Sequence, residues 1–322
     1  MMISVVVIGA RGYTGAELLP LLYRHPEFEI VAVGSASAVG QPVNEHVAGM
    51  EGCDLLFSGI RPATLEQNPA DACVLALPNG FAAGFVKALD AHKPDTVVVD
   101  LSADHRFDPG WTYGQPERFS EQIAGANRIA NPGCYATGVQ LALVPLLDNL
   151  LGLPTVFAVS GYSGAGNTPS RKNDPDALKD NLLPYSLTGH LHEKEISHHL
   201  GHDVRLLPHV APFFRGISLT IAAELETSQN PEQLMQCCRE FYAGCPLVEV
   251  QADTPDVAAV RGTHKLILGG FSASKTEPRR IALVSVLDNL LKGAATQAVQ
   301  NLNLAFGLDS MTGINTLRGL QV

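Results

Sequence analysis

The chain has 322 residues, 46% of them apolar, and a formal net charge of -10. That length exceeds one ordinary core, so two domains are expected, and the composition argues against disorder or a fibrous architecture. The negative balance disfavours nucleic acid or anionic membranes as partners, yet allows an anionic small ligand wherever a few Arg, Lys or backbone N–H groups gather.

The opening Ile3-Ser4-Val5-Val6-Val7-Ile8 lacks a basic leader and a cleavage site and runs into a glycine turn, so it reads as a strand rather than a signal peptide. Further strands are expected at 28–33, 72–76 and 96–100. A helix is expected over 16–25, with Leu18, Leu21 and Leu22 on one face and Pro26 as its stop. This alternation predicts βαβ units and a mainly parallel sheet. A second helix is expected over 135–149, where Val139, Leu143, Leu146 and Leu147 recur at helical spacing after an Asn-Pro-Gly-Cys turn. Strands at 156–160, 205–207, 218–224 and 281–287, separated by glycine- and proline-containing loops, predict a second, α+β domain. A final helix from 289 to about 306 is expected to pack back on the first domain. No apolar run approaches the ~20 residues of a membrane helix. The six cysteines (Cys53, Cys73, Cys134, Cys237, Cys238, Cys245) form no C-x-x-C pair or regular framework, which suits a reducing cytoplasm without a zinc site or disulfide scaffold.

Gly9-Ala10-Arg11-Gly12-Tyr13-Thr14-Gly15 follows a strand and opens a helix, the context in which glycines let a pyrophosphate approach backbone N–H groups and a helix N-terminus. A glycine-rich turn without a ligand is the alternative. Where an acidic residue would hold the ribose of NAD, the second strand ends in Gly34-Ser35-Ala36-Ser37. The hydroxyls of Ser35 and Ser37, with Arg11 nearby, would accept a 2′-phosphate, so NADP is expected over NAD.

Cys134 lies at a turn leading into a helix, where N–H groups and the helix dipole favour a thiolate; the other five cysteines read as buried structural residues. Gly189-His190-Leu191-His192-Glu193-Lys194-Glu195 offers two histidines and a carboxylate as acid/base partners, with His192 and Glu195 neighbours if the segment is helical; a solvated face is the alternative. No third ligand at suitable spacing accompanies the histidines, so no metal is expected. Two further loops are expected to serve an anion: residues 160–166 through backbone N–H groups, and Pro208-His209-Val210 with Arg215-Gly216 through a guanidinium fork. A plain surface loop is the alternative for each.

Taken together, these residues resemble the N-acetyl-gamma-glutamyl-phosphate reductases of arginine biosynthesis over nearly the whole chain. The resemblance rests on Gly9 to Leu18, on Val99-Asp100-Leu101-Ser102-Ala103-Asp104 with Arg106, on Asn131-Pro132-Gly133-Cys134-Tyr135, and on Ser160 to Gly166. It continues through His190 to Glu195, Pro208-His209 with Arg215-Gly216, and Asp288 to Ala295. It implies a Rossmann-type, doubly wound α/β cofactor domain (1–131 plus 289–322, completed by the C-terminal helix) and an α+β substrate and dimerisation domain (132–288). It also implies a cytoplasmic homodimer or homotetramer.

The implied reaction is NADPH-dependent reduction of an acyl phosphate to an aldehyde through a thioester on Cys134, with His190 or His192 as acid/base and Glu195 orienting it. The implied cofactor contacts are Gly9, Arg11, Gly12, Tyr13, Thr14, Gly15, Ser35, Ser37, Ser163, Gly164 and Asn289; the implied substrate contacts are Ser102, Arg106, Asn131, Ser160, His209 and Arg215. Three positions depart from the family pattern: Asn79 where histidine is frequent, Asn167 where arginine is common, and Lys194 where proline is usual. The alternatives are a sibling reductase acting on an aspartyl, aminoadipyl or carrier-bound acyl phosphate, and a catalytically silent NADP-binding regulatory protein.

Overall fold

A computed structural model of the chain describes residues 2–314 and divides it into two compact units, residues 2–133 with 294–314 and residues 134–293. The last stretch of the expected cofactor domain, 315–322, lies outside the described residues.

The first unit is built on a seven-stranded sheet whose pairings are all parallel. Its strands are β1 (Ile3–Ile8), β2 (Phe28–Gly34), β3 (Phe57–Ser58), β4 (Ala72–Leu75), β5 (Val97–Asp100), β6 (Thr112–Tyr113) and β7 (Arg128–Ala130), in the order β3-β2-β1-β4-β5-β7-β6. The unbroken Val5-Val6-Val7-Ile8 run reflects burial on both faces. Val5 and Val7 join one core with Leu18, Leu22, Val299 and Leu302, while Val6 and Ile8 join another with Phe85 and Leu89. Those partners belong to α1 (Tyr13–Tyr23), to the C-terminal helix Thr296–Ala305 and to α2 (Ala82–His92); α3 (Pro116–Ile123) completes the unit. This is the expected doubly wound fold, and the winding reverses between β1 and β4, where such sheets receive nucleotides at the carboxyl ends of the strands.

The second unit carries a mixed seven-stranded sheet, ordered β12-β13-β14-β11-β8-β10-β9. The strands are β8 (Leu150–Gly161), β9 (Leu183–Pro184), β10 (Arg205–Ala211), β11 (Ile217–Leu225), β12 (Val248–Val250), β13 (Leu266–Ala273) and β14 (Arg280–Leu287). Its helices are α4 (Cys134–Leu143), α5 (Pro175–Leu178), α6 (Leu191–Leu200), α7 (Pro231–Phe241) and α8 (Val257–Val260). One sheet face is covered by α4, α6 and α7, whose Val139, Ile196 and Leu234 share a core with Leu219, Ile221 and Leu283. The opposite face leaves Leu153 and Phe157 of β8 45% and 40% exposed.

Several element boundaries differ from the sequence expectation. Helix α1 starts at Tyr13, three residues early, because Gly12 already accepts the first helical bond from Ala16 N. The helix expected over 135–149 ends at Leu143; Pro145 cannot donate the next bond, and Val144–Asn149 tightens into a 3₁₀ turn. The final helix likewise opens as a π-helical turn over Leu291–Ala295. Pro208 and His209 were expected in a loop but lie inside β10. There the Pro208 carbonyl accepts from Tyr185 N on the side away from β8, so the missing N–H faces the short edge strand β9 and costs no bond to β8.

Candidate active site

Cys134 is the first residue of α4, delivered by the Asn131-Pro132-Gly133 turn. Gly293 packs directly against it: a Cβ added at Gly293 would lie 2.7 Å from the Cys134 Cβ. The next residue, Tyr135, is buried, and its hydroxyl donates to the His209 carbonyl at 3.2 Å and shares hydrogen bonds with Ser160 and Tyr185. Burial pushes the Tyr135 hydroxyl well above its ordinary pKa and that of Tyr185 up to about 12, so both stay neutral phenols.

Around Tyr135 stand two imidazoles, His190 just before α6 and His192 in its first turn. The His192 ring centroid lies 5.7 Å and the His190 centroid 6.1 Å from that of Tyr135, the two imidazoles are 5.1 Å apart, and Tyr185 meets His190 at 5.6 Å. His190 is the N-cap of α6: its Nδ1 accepts from His192 N at 3.1 Å, which puts the proton of the neutral ring on Nε2. Burial lowers the His190 pKa, Lys172 lowers it further, and Glu193 and Glu195 oppose them. Glu195 is fully buried one turn beyond His192, as helical spacing requires. Its neighbour Glu193 is a clip for the fold, one carboxylate oxygen accepting from Gly189 N at 3.0 Å and the other from Leu206 N at 2.9 Å. Tyr185 and Lys172, whose ammonium sits 4.8 Å over the Tyr185 ring, are members of this cluster that sequence reading missed, because no local pattern links them to α6.

Burial keeps three of the other five thiols protonated. Burial pushes Cys73 and Cys238 up to about 12 and raises Cys237, which also donates to the Pro145 carbonyl.

Several residues expected to contact an anion are engaged inside the protein. Arg215 was expected to offer its fork to a ligand, but that fork is spent on Asp288, Nε at 2.6 Å and Nη2 at 3.0 Å. The loop 160–166 was expected to offer backbone N–H groups, but those of Gly161, Tyr162 and Ser163 bind the carbonyls of Gly216, Phe213 and Phe214. Ser163 and Asn289 are brought together, Asn289 donating to Ser163 Oγ at 2.9 Å and accepting from Gly216 N at 2.7 Å, while Gly164 packs on Ser160. His209 packs against Phe157 in a tilted arrangement with centroids 4.4 Å apart.

In the first unit, Ser102 Oγ donates to Asp100 at 2.8 Å, Arg106 donates to the carbonyls of Asn131 and Leu101, and the Asn131 amide oxygen accepts from Asn301. Asp100 also binds His105 Nδ1 at 2.7 Å.

The glycine loop sits at the carboxyl end of β1. Gly9 adopts φ +81°, and a Cβ there would strike the Ala76 carbonyl at 2.3 Å; one at Gly15 would strike Ala10. Gly12 differs, since a Cβ there would meet only the Gly9 carbonyl, at 3.6 Å. The fold therefore demands Gly9 and Gly15, whereas Gly12 leaves open the space beside the α1 N-terminus, next to Tyr13 and Thr14, that a pyrophosphate needs. Arg11 Nη1 donates to Ser37 Oγ at 3.3 Å, and Ser37 N donates to Ser35 Oγ at 3.3 Å. A guanidinium and two hydroxyls thus gather at the end of β2.

Comparison with known proteins assigns both units. Residues 4–126 match the family model of the semialdehyde dehydrogenase NAD binding domain, and residues 134–289 match that of the semialdehyde dehydrogenase dimerisation domain. N-acetyl-gamma-glutamyl-phosphate reductase of Xanthomonas campestris pv. campestris is 50% identical over 311 residues, covering 97% of this chain and 98% of its own. The chain belongs to the N-acetyl-gamma-glutamyl-phosphate reductase family. The Stenotrophomonas maltophilia reductase of that name is 50% identical over 308 residues, covering 96% of each chain. Aspartate semialdehyde dehydrogenase II from Vibrio cholerae shares the fold at 21% identity with a TM-score of 0.76, covering 94% of this chain and 98% of its own. As a reductase of this family the chain is an NADP-dependent oxidoreductase. Among the described residues no helix is long and apolar enough to cross a membrane.

Proposed function

We propose that the chain reduces N-acetyl-gamma-glutamyl phosphate to N-acetylglutamate semialdehyde and phosphate, with NADPH, through a thioester on Cys134. The observation that carries this reading is the placement of a thiol on the first residue of α4, next to a tyrosine that packs edge-on against both His190 and His192. Relatives at 50% identity bear the name of that reaction and favour it over the aspartyl, aminoadipyl and carrier-bound alternatives.

The Cys134 thiolate, favoured by the α4 N-terminus, attacks the acyl carbon; the bond from carbon to the phosphate oxygen breaks and phosphate leaves. When bound, NADPH supplies a hydride to the thioester carbon. A histidine proton neutralises the resulting oxyanion, and the same histidine recovers that proton as the carbon–sulfur bond breaks and the thiolate returns. The helix cap at His190 supports a division of work between the rings. His190 presents Nε2–H as a hydrogen-bond donor, because its other nitrogen holds α6 and could not take a proton without breaking the cap. His192 is then the proton shuttle, with Glu195 orienting it.

In the first unit the glycine loop, Arg11, Ser35 and Ser37 would hold the cofactor and its 2′-phosphate; in the second, Ser163, Gly164 and Asn289 are the proposed cofactor contacts. The proposed substrate contacts are Ser102, Arg106 and Asn131 in the first unit and Ser160 and His209 in the second, where Arg215 braces the fold through Asp288. The exposed apolar face around Leu153 and Phe157 fits a homo-oligomer in which copies meet through the second unit, as a dimer or tetramer in the cytoplasm.

The test is the reverse reaction, following NADPH formation from N-acetylglutamate semialdehyde, phosphate and NADP. Wild type should be active, and Cys134→Ser should bind NADPH yet lose nearly all turnover. His192→Asn should lower kcat at least ~100-fold, the usual floor for acid/base catalysis, with little change in KM, while His190→Asn should act mainly on KM. An active Cys134→Ser enzyme would move the nucleophile elsewhere.

A further inference from the structure

The loop 160–166 and the segment after it, up to Ser170, contain no cation, and Arg215 is spent on Asp288. Lys172 is the positive charge that the structure brings to the histidine cluster. It is half-buried over the Tyr185 ring at 4.8 Å, close enough for its charge to oppose protonation of His190. The loop presenting it is stitched: Asn173 accepts from Ser170 N at 2.7 Å, and its amide donates to the carbonyls of Gly166 at 2.7 Å and Thr168 at 2.8 Å. Among the described residues no carboxylate pairs with the Lys172 ammonium. A half-buried cation on a preorganised loop, without a counter-ion and beside Tyr185 and His190 of the cluster, is the electrostatic counterpart of an anionic substrate.

The geometry points to Lys172 as a specificity-determining residue that binds an anionic group of the substrate, either the α-carboxylate or the phosphate. This rests on the reading of the Cys134 site as an acyl-phosphate reductase. The Tyr185 ring holds the lysine stem and orients the ammonium by a cation–π contact, so affinity depends on the charge rather than on Lys172 supporting the fold. Lys172 takes no part in proton transfer, so its removal acts on KM.

The experiment uses the full chain in the reverse direction with two aldehydes: N-acetylglutamate semialdehyde, and 4-acetamidobutanal, which lacks the α-carboxylate. Lys172→Gln should lose about 10- to 100-fold in kcat/KM, the range expected when a charge-assisted hydrogen bond is removed, with kcat largely kept and Lys172→Arg restoring most of it. If the loss falls on the semialdehyde alone and wild-type preference over 4-acetamidobutanal disappears, the bound group is the carboxylate. If KM for phosphate rises with both aldehydes, it is the phosphate. Unchanged KM values for semialdehyde and phosphate, or a fall in kcat with unfolding temperature that Arg does not rescue, overturns the assignment while leaving the reductase reading intact. A wild-type enzyme that forms no NADPH with semialdehyde and phosphate overturns both.

Discussion

Gly293 packs directly on the nucleophile, and Gly293→Ala tests whether the position of Cys134 matters as the proposed chemistry requires. The added methyl would sit 2.7 Å from the Cys134 Cβ, 3.3 Å from its Cα and 3.2 Å from the Asp288 carbonyl. Carbon atoms rest at about 3.5–4.0 Å, so helix α4 and the turn carrying Gly293 must part by about 1 Å. Overpacking of this kind costs about 1–3 kcal/mol of stability, and misplacing a reacting atom by about 1 Å costs ~100-fold in rate. Kinetics and thermal unfolding on the same preparation should show a moderately lowered melting temperature and a kcat reduced by one to two orders of magnitude, with cofactor affinity kept. A Gly293→Ala enzyme with wild-type kcat would refute the reasoning, since Cys134 would then tolerate a displacement that a positioned nucleophile does not.

Ser37→Asp places a carboxylate where Arg11 and the two serines gather, so kcat/KM should shift from NADPH towards NADH, and an unchanged ratio would remove Arg11 and Ser37 from the cofactor site. Asp288→Asn breaks a buried ion pair and leaves Arg215 without its counter-charge; about 3–5 kcal/mol should be lost in denaturant unfolding, far more than for the exposed pair Lys265–Glu249. His25 has its pKa lowered by burial, accepting from Glu27 N at Nδ1 and meeting the Thr312 carbonyl at Nε2. Because the folded ring binds its proton less readily than the unfolded one, its contribution to stability is complete above pH 6.5 and is lost as pH falls below that value. His25→Gln should therefore flatten the acid side of the stability profile by up to about 1.4 kcal/mol per pH unit, and an unchanged slope would show that His25 is not a source of acid sensitivity.

What the sequence made legible was local. The valine run of β1, the glycine turn after it, and Cys134 at a helix start each depend on a few adjacent residues, and each takes the expected form. What escaped depends on distant partners. Arg215 looks like an available anion binder until Asp288, 73 residues away, closes on its fork. Pro208 looks like a loop residue because the two-residue strand that makes it harmless, β9, has no periodicity to read. Tyr185 and Lys172 gave no signal, since their place beside His190 is set by loop packing rather than spacing. That His190 caps α6 by accepting from His192 N depends on the path of the backbone before the helix, which the residue pattern does not carry.

Two of the three buried thiols give the protein a built-in pair of reporters. Cys73 lies in the central strand β4 of the first unit and Cys238 on α7 in the second, both held as protonated thiols that a reagent cannot reach while their own unit stays closed. Their labelling rates therefore clock the opening of the two units separately, without any engineered probe. A ligand that binds the glycine loop should slow the clock at Cys73, so trapping at these two sulfur atoms would show which half of the enzyme each of its substrates holds shut.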